Sequence, residues 1–122
     1  MAFSEELKQR IVQELVPGKQ ITLAHVIANP DESLFSQIGL ILAEGAKKSA
    51  IGVLTVTPAE TAIILADIAI KASGVRLGHV DCHENGSLIL TGTVSEVEAS
   101  LQAILRYAVE TLRYEVCEIT RT

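Results

Sequence analysis

The sequence predicts an α/β domain in which helices pack on an antiparallel-rich sheet. Three observations carry that reading. Ala50 to Val56 is an unbroken apolar run rich in Val and Ile, as in a strand buried on both faces. Two helix-start signals follow, Thr57-Pro58-Ala59-Glu60 and Ser95-Glu96-Val97-Glu98, each with a hydroxyl cap and a glutamate three residues on. Between them, two β-like runs flank Glu84-Asn85-Gly86, a polar turn whose Asn-Gly step favours a tight hairpin. At 122 residues the chain is one domain, long enough to bury a proper core. A sheet covered by helices is the natural two-layer arrangement for these elements.

In chain order, the segment before Pro17-Gly18 is ambiguous. Leu7, Ile11 and Leu15 fit a helix, whereas the alternation through Val12, Glu14 and Val16 fits a strand. Ile21 to Ala28 reads as a strand. Asn29-Pro30-Asp31-Glu32 then opens a short helix through Leu34, Phe35 and Ile38 that ends at Gly39. Leu42 to Lys48 has no periodicity and reads as a surface loop, and Ala50 to Val56 is the buried strand. The helix opened at Thr57 is expected to stop at Gly74 in a left-handed cap. Its Ile63, Ile64, Leu65, Ile68 and Ile70 point nearly all round, so one flank needs a neighbour. Strands follow at Val75 to Val80 and Ser87 to Val94. The helix opened at Ser95 runs to about Arg113, with Val97, Leu101, Ile104, Leu105, Ala108, Val109 and Leu112 inward. Gln102, Arg106, Glu110 and Arg113 form its wet face. Tyr114 to Ile119 is the last strand.

Composition narrows the function. Hydrophobic residues make up 48% of the chain and the mean hydropathy is +0.36, so part of the apolar surface is expected to be buried against other copies. The net charge is −5, aromatics are 3%, and no basic run exceeds Lys47-Lys48; a nucleic-acid partner would need a basic footprint. Thr61 to Ile70, interrupted by Asp67, is too short to span a membrane. The start MAFSEELKQR carries charge where a secretory signal needs an apolar stretch. A cytosolic chain with Cys82 and Cys117 reduced is therefore expected.

No catalytic constellation stands out, and no cofactor is predicted. The polar cluster His79, Asp81, Cys82, His83 and Glu84 contains competent metal donors, Cys82 and His83 foremost, but its spacing matches no closed site. A solvated turn is the plainer reading. His25, between Ala24 and Val26, reads as a hydrogen-bonded structural residue. Neither serines nor cysteines have an adjacent base, the glycines do not gather into a phosphate loop, and Glu60 and Glu98 read as capping groups.

The stretches VPGKQITLAHVIANP (Val16 to Pro30) and SAIGVLTVTPAE (Ser49 to Glu60), with the tail CEITRT, resemble the circularly permuted shell proteins of bacterial microcompartments. The likeness covers nearly the whole chain from about Arg10 and is strongest to the propanediol- and ethanolamine-utilisation shell proteins. It implies a single permuted BMC domain, with the strand and short helix that close an ordinary shell domain moved to the front, here Ala24 to Pro30 and the helix after it. It also implies a homohexamer with a central pore and a structural, non-enzymatic role in a shell within the bacterial cytoplasm. Residues 1–19 would be an N-terminal extension and 20–122 the shell domain. Val12, Glu14 and Val16 would lie on a strand joining a six-stranded parallel barrel over the axis. Cys82, His83, Glu84, Asn85, Gly86 and Ser87 take the place of the pore loop. Lys71 matches the family's edge lysine, and Asn29 stands where ordinary tiles carry an arginine in the lattice contact. Expected partners are further copies of the chain, other shell proteins and encapsulated enzymes, with neither nucleic acid nor membrane. Two alternatives are a tile with a metal or iron–sulfur centre at the pore loop and a small-ligand regulatory domain.

Overall fold

The computed structural model of the chain describes residues 18–37 and 50–122. Ile38, Gly39 and the expected loop at 42–48 lie outside that range, as do Val12, Glu14 and Val16 of the N-terminal strand. Five strands form one sheet: β1 (Gln20–Ile27), β2 (Ala50–Thr57), β3 (Arg76–Asp81), β4 (Ser87–Gly92) and β5 (Thr120–Arg121). Their order is β3-β4-β2-β1-β5, with every neighbouring pair antiparallel except β1 and β5. The helices are α1 (Glu32–Gln37), α2 (Thr61–Ala72) and α3 (Val94–Tyr107), the last extended by a π-helical turn, Ala108–Leu112.

The alternation of β2 divides the molecule into two layers. Ala50, Leu54 and Val56 point to one face, where Ala24 and Val26 of β1 and Leu88 and Leu90 of β4 join them. Against this face lie Ala62, Leu65 and Ala69 of α2 and Val97, Leu101, Ile104 and Ala108 from α3 onward. The opposite face carries a smaller cluster in which Phe35 of α1 covers Ile51, flanked by Ile27, Val53 and Ile89. β2 is thus covered on both sides, as its unbroken apolar run predicts. Gly52 lets α3 approach closely, since a Cβ there would stand 2.7 Å from Val97 Cγ1.

Element boundaries depart from expectation where backbone pairing competes with a cap. Thr57 remains in β2, paired with Gln20 of β1, so it does not cap α2. Successive i to i+3 bonds, Thr61 N to Pro58 O (3.1 Å), Ala62 N to Ala59 O (3.0 Å) and Ile63 N to Glu60 O (3.2 Å), lead into that helix instead. Glu60 makes no side-chain cap. The second capping box exists two residues earlier than expected: Thr93 Oγ1 accepts from Glu96 N at 3.2 Å, and Glu96 Oε1 accepts from Thr93 N at 2.9 Å. Glu98 pairs with Arg121 at 3.1 Å. α1 begins as expected, but the cap is Asp31, whose Oδ1 accepts from Ser33 N at 2.9 Å.

Gly74 is not a left-handed cap either. α2 ends through an extended Ser73, and Gly74 instead leaves room for the Glu96 carboxylate, whose Oε2 would have to move from a Cβ standing 2.5 Å away. Val109, expected inward, is 45% exposed, because the π-helical turn rotates the stripe after Tyr107. The left-handed residue that ends this helix is Arg113, at φ 62°. The tail is not a continuous strand over 114–119. It touches β1 at Glu115, through Ile21 N to Glu115 O (2.8 Å) and Glu115 N to Lys19 O (3.2 Å), and then pairs in β5.

Candidate pore loop and tile edge

The register of the ladders fixes which loops share an end of the sheet. Ser87 pairs with both Asp81 and Thr55, and Gln20 pairs with Thr57. The β3–β4 turn, the entry of the chain into β1 and the start of α2 therefore lie at one end. Ile51 pairs with both Ile27 and Thr91, and Thr91 pairs with Arg76. The opposite end thus carries Asn29 just after β1 and Lys71 in the last turn of α2.

The turn at the first end is built by backbone bonds rather than by metal-ligand geometry. Asp81 Oδ1 accepts from His83 N at 3.0 Å and from Glu84 N at 3.4 Å. These two bonds, His83 first, hold its carboxyl below the ordinary value of 3.8. Gly86 is buried at φ 59°, and its carbonyl accepts from Val56 N at 2.8 Å. A Cβ at this position would stand 2.1 Å from Val56 O, so only glycine fits. His83, Glu84 and Asn85 are exposed, whereas Cys82 and Ser87 are half-buried. Among the described residues, no three His, Cys, Asp or Glu side chains are gathered as a metal site.

At the other end Lys71 Nζ lies 2.9 Å from Asp67 Oδ2, both side chains well exposed. The same helix displays Ile63 at 56%, Ile64 at 43% and Ile70 at 46% exposure. The all-round apolar pattern thus resolves into a face buried on the sheet and a face left open. Asn29 is exposed.

His25 is the hydrogen-bonded structural residue the sequence predicts, but its partners, like those of Tyr114, have no sequence signal. The tail is clamped to β1 by His25, whose ring nitrogens hydrogen-bond the hydroxyls of Thr120 (2.5 Å) and Thr122 (2.9 Å). Ala28 N to Thr122 O (2.8 Å) and Thr122 N to Val26 O (2.9 Å) complete that clamp. Tyr114 Oη meets Thr61 Oγ1 at 2.7 Å, tying the tail to the first turn of α2. Partners more than fifty residues apart cannot be read from local pattern.

An antiparallel-rich sheet with two long helices on one face makes this a two-layer α/β domain. The BMC domain family model matches residues 50–120, more than half of the chain; the chain belongs to this family of bacterial microcompartment shell proteins. It is similar to the shell protein PduU of Salmonella typhimurium, 49% identical over 113 residues and 93% of each chain. Its similarity to EutS of Escherichia coli is 44% over 115 residues, covering 94% of this chain and 98% of that one. A CutR flat hexamer superposes with a TM-score of 0.79 at 43% identity, over 88% of this chain and 94% of the other. A fused permuted hexameric shell protein from the RMM microcompartment gives 0.66 at 26% identity, over 76% of this chain and 47% of that one. The match to the BMC model begins at β2 and leaves β1 and α1 outside, as permutation requires of a collinear comparison.

Proposed function

We propose that the chain is a hexameric wall tile whose β3–β4 turns surround the axis and whose N-terminal segment lies over them. Residues 1–19 act as the extension, with Val12, Glu14 and Val16 in an axial barrel, and 20–122 as the tile body. Cys82 to Ser87 line the pore, while Lys71 and Asn29 stand on the outer rim. The tile sits in a shell within the bacterial cytoplasm, alongside other shell proteins and against encapsulated enzymes, and carries out no chemistry itself.

The observation that supports this most is the division of the sheet into two ends. The pinned β3–β4 turn and the point where the N-terminal segment enters β1 share one end, and Lys71 and Asn29 share the other. An axial cap needs that shared end. The exposed isoleucines of α2, on the helix that carries Lys71, fit a tile that meets further copies.

Electron microscopy of the purified protein, with native mass spectrometry, tests the reading. Six-fold rings with a filled centre are expected, and deletion of residues 1–17 empties the centre while leaving six chains. A monomer at micromolar concentration, or a centre unchanged by the deletion, would falsify the capped-tile reading.

A further inference from the structure

Both lateral edges of the sheet are unpaired among the described residues: β3 pairs only with β4, and β5 only with β1. If the strands run from axis to rim, as the proposed tile places them, these edges are the flanks that ring neighbours present to one another. A ring contact is heterologous, so unlike flanks meet at matching distance from the axis. The ladders allow that distance to be compared across the sheet. His79 is level with Ile89, Val53, His25 and Thr120. One step toward the pore, Val80 is level with Leu88, Leu54 and Ala24, and Ile119 directly precedes the Thr120 that pairs with His25. Further in, Gly86 O bonds Val56 N, and Val56 pairs with Ile21, whose N–H bonds Glu115 O. Cys82 on the β3 flank and Cys117 on the tail flank thereby fall at nearly the same height, within about one strand step of ~3.3 Å.

The side chains match in kind as well as in height. On the β3 flank Val80 and Cys82 are half-buried and Leu77 is 43% exposed. On the tail, Val116, Cys117 and Ile119 pack only partly on the core. Each flank leaves a strip of apolar surface that its own subunit does not finish covering.

We infer that the ring seam is formed by the β3 edge of one copy against the C-terminal tail of the next, with Cys82 facing Cys117 across it. The inference rests on the hexameric reading and names the surfaces that close the ring. It gives the His25 clamp a purpose, since the tail must be fixed to β1 before a neighbour can seat on it.

The two cysteines report the seam directly. The native assembly is treated with bismaleimidoethane, a short thiol-to-thiol cross-linker, and run on a denaturing gel beside native mass spectra. A covalent ladder reaching six chains is expected, and both Cys82→Ser and Cys117→Ser should leave monomers, because each link needs one thiol of each kind. Independently, Leu77→Arg, at an exposed position facing the Arg121 region of the neighbour, should lower the hexamer fraction at least about tenfold with an unchanged circular dichroism spectrum. A native hexamer that yields no ladder, a ladder that survives either serine variant, or a Leu77→Arg hexamer of full stability overturns the seam while leaving the hexamer standing. A monomeric wild type overturns the tile reading and the seam with it.

Discussion

Gly86 shows how one residue sets the shape of the candidate pore. Its carbonyl closes the end of β2 through Val56 N, and its missing side chain makes room for Val56 O. Alanine here combines a left-handed conformation with a steric overlap and is expected to cost at least ~2 kcal/mol, seen as an earlier urea midpoint. Asp81 fastens the other side of the turn. Its carboxyl is held below 3.8 chiefly by the His83 and then the Glu84 backbone N–H. A depressed carboxylate adds stability that is present above the unfolded value and is lost as pH falls through the folded one. The gap in urea midpoint between wild type and Asp81→Ala should therefore be open at neutral pH and narrow below 3.8; a gap constant into stronger acid contradicts this role. The sequence places a turn at Asn85-Gly86, but not its form: Cys82 to Gly86 make a five-residue connection between Asp81 and Ser87 in which Gly86 alone takes a positive φ, whereas Asn-Gly favours a two-residue hairpin. Nor are the Asp81 bonds legible, because an aspartate at a strand end has many local acceptor geometries open to it.

At the scale of elements, helix starts show where local signals stop being decisive. Two hydroxyl-to-glutamate patterns overlap near α3, one led by Thr93 and one by Ser95, and both satisfy the capping-box spacing. β4 decides between them: it ends at Gly92, leaving Thr93 as the first residue free to turn. Thr93→Ala is expected to lower stability by ~1 kcal/mol, and Ser95→Ala by less than ~0.5 kcal/mol, in denaturant titrations. The reverse order would return the cap to Ser95. Thr57 illustrates the same competition with the opposite winner, because its backbone belongs to the β1–β2 ladder. Interior positions were more legible than ends. Val97, Leu101 and Ile104 follow helical spacing and are fully buried, since burial of a stripe depends on periodicity rather than on any single hydrogen bond.

For the whole molecule, polarity from one end of the sheet to the other is the property that matters. The candidate pore turn and the N-terminal entry share one end, and Lys71 and Asn29 stand at the other. Exposed ion pairs contribute little to folding, so losing the Lys71–Asp67 pair, both of whose side chains are well exposed, should cost the single tile little stability. Lys71→Ala should leave melting temperature and hexamer mass nearly unchanged while abolishing extended sheets in negative-stain images. Sheets as large as those of wild type would remove Lys71 from the rim contact.

The sequence by itself determined the α/β class, the order of the helices and most strands among the described residues, the buried faces of β2 and α3, and the resemblance to permuted shell proteins. All of these depend on short-range periodicity or on a long collinear match. Tertiary structure alone decided which hydroxyl caps a helix, that Gly74 yields to Glu96 rather than to a helix end, and that the tail is clamped by His25 and Tyr114. It also decided that the Cys82 to Ser87 turn lies at the opposite end of the sheet from Lys71 and Asn29. The reason is physical: these features depend on partners far apart in the chain, and strand register, set only when the whole sheet assembles, chooses among alternatives that local energetics leave nearly equal.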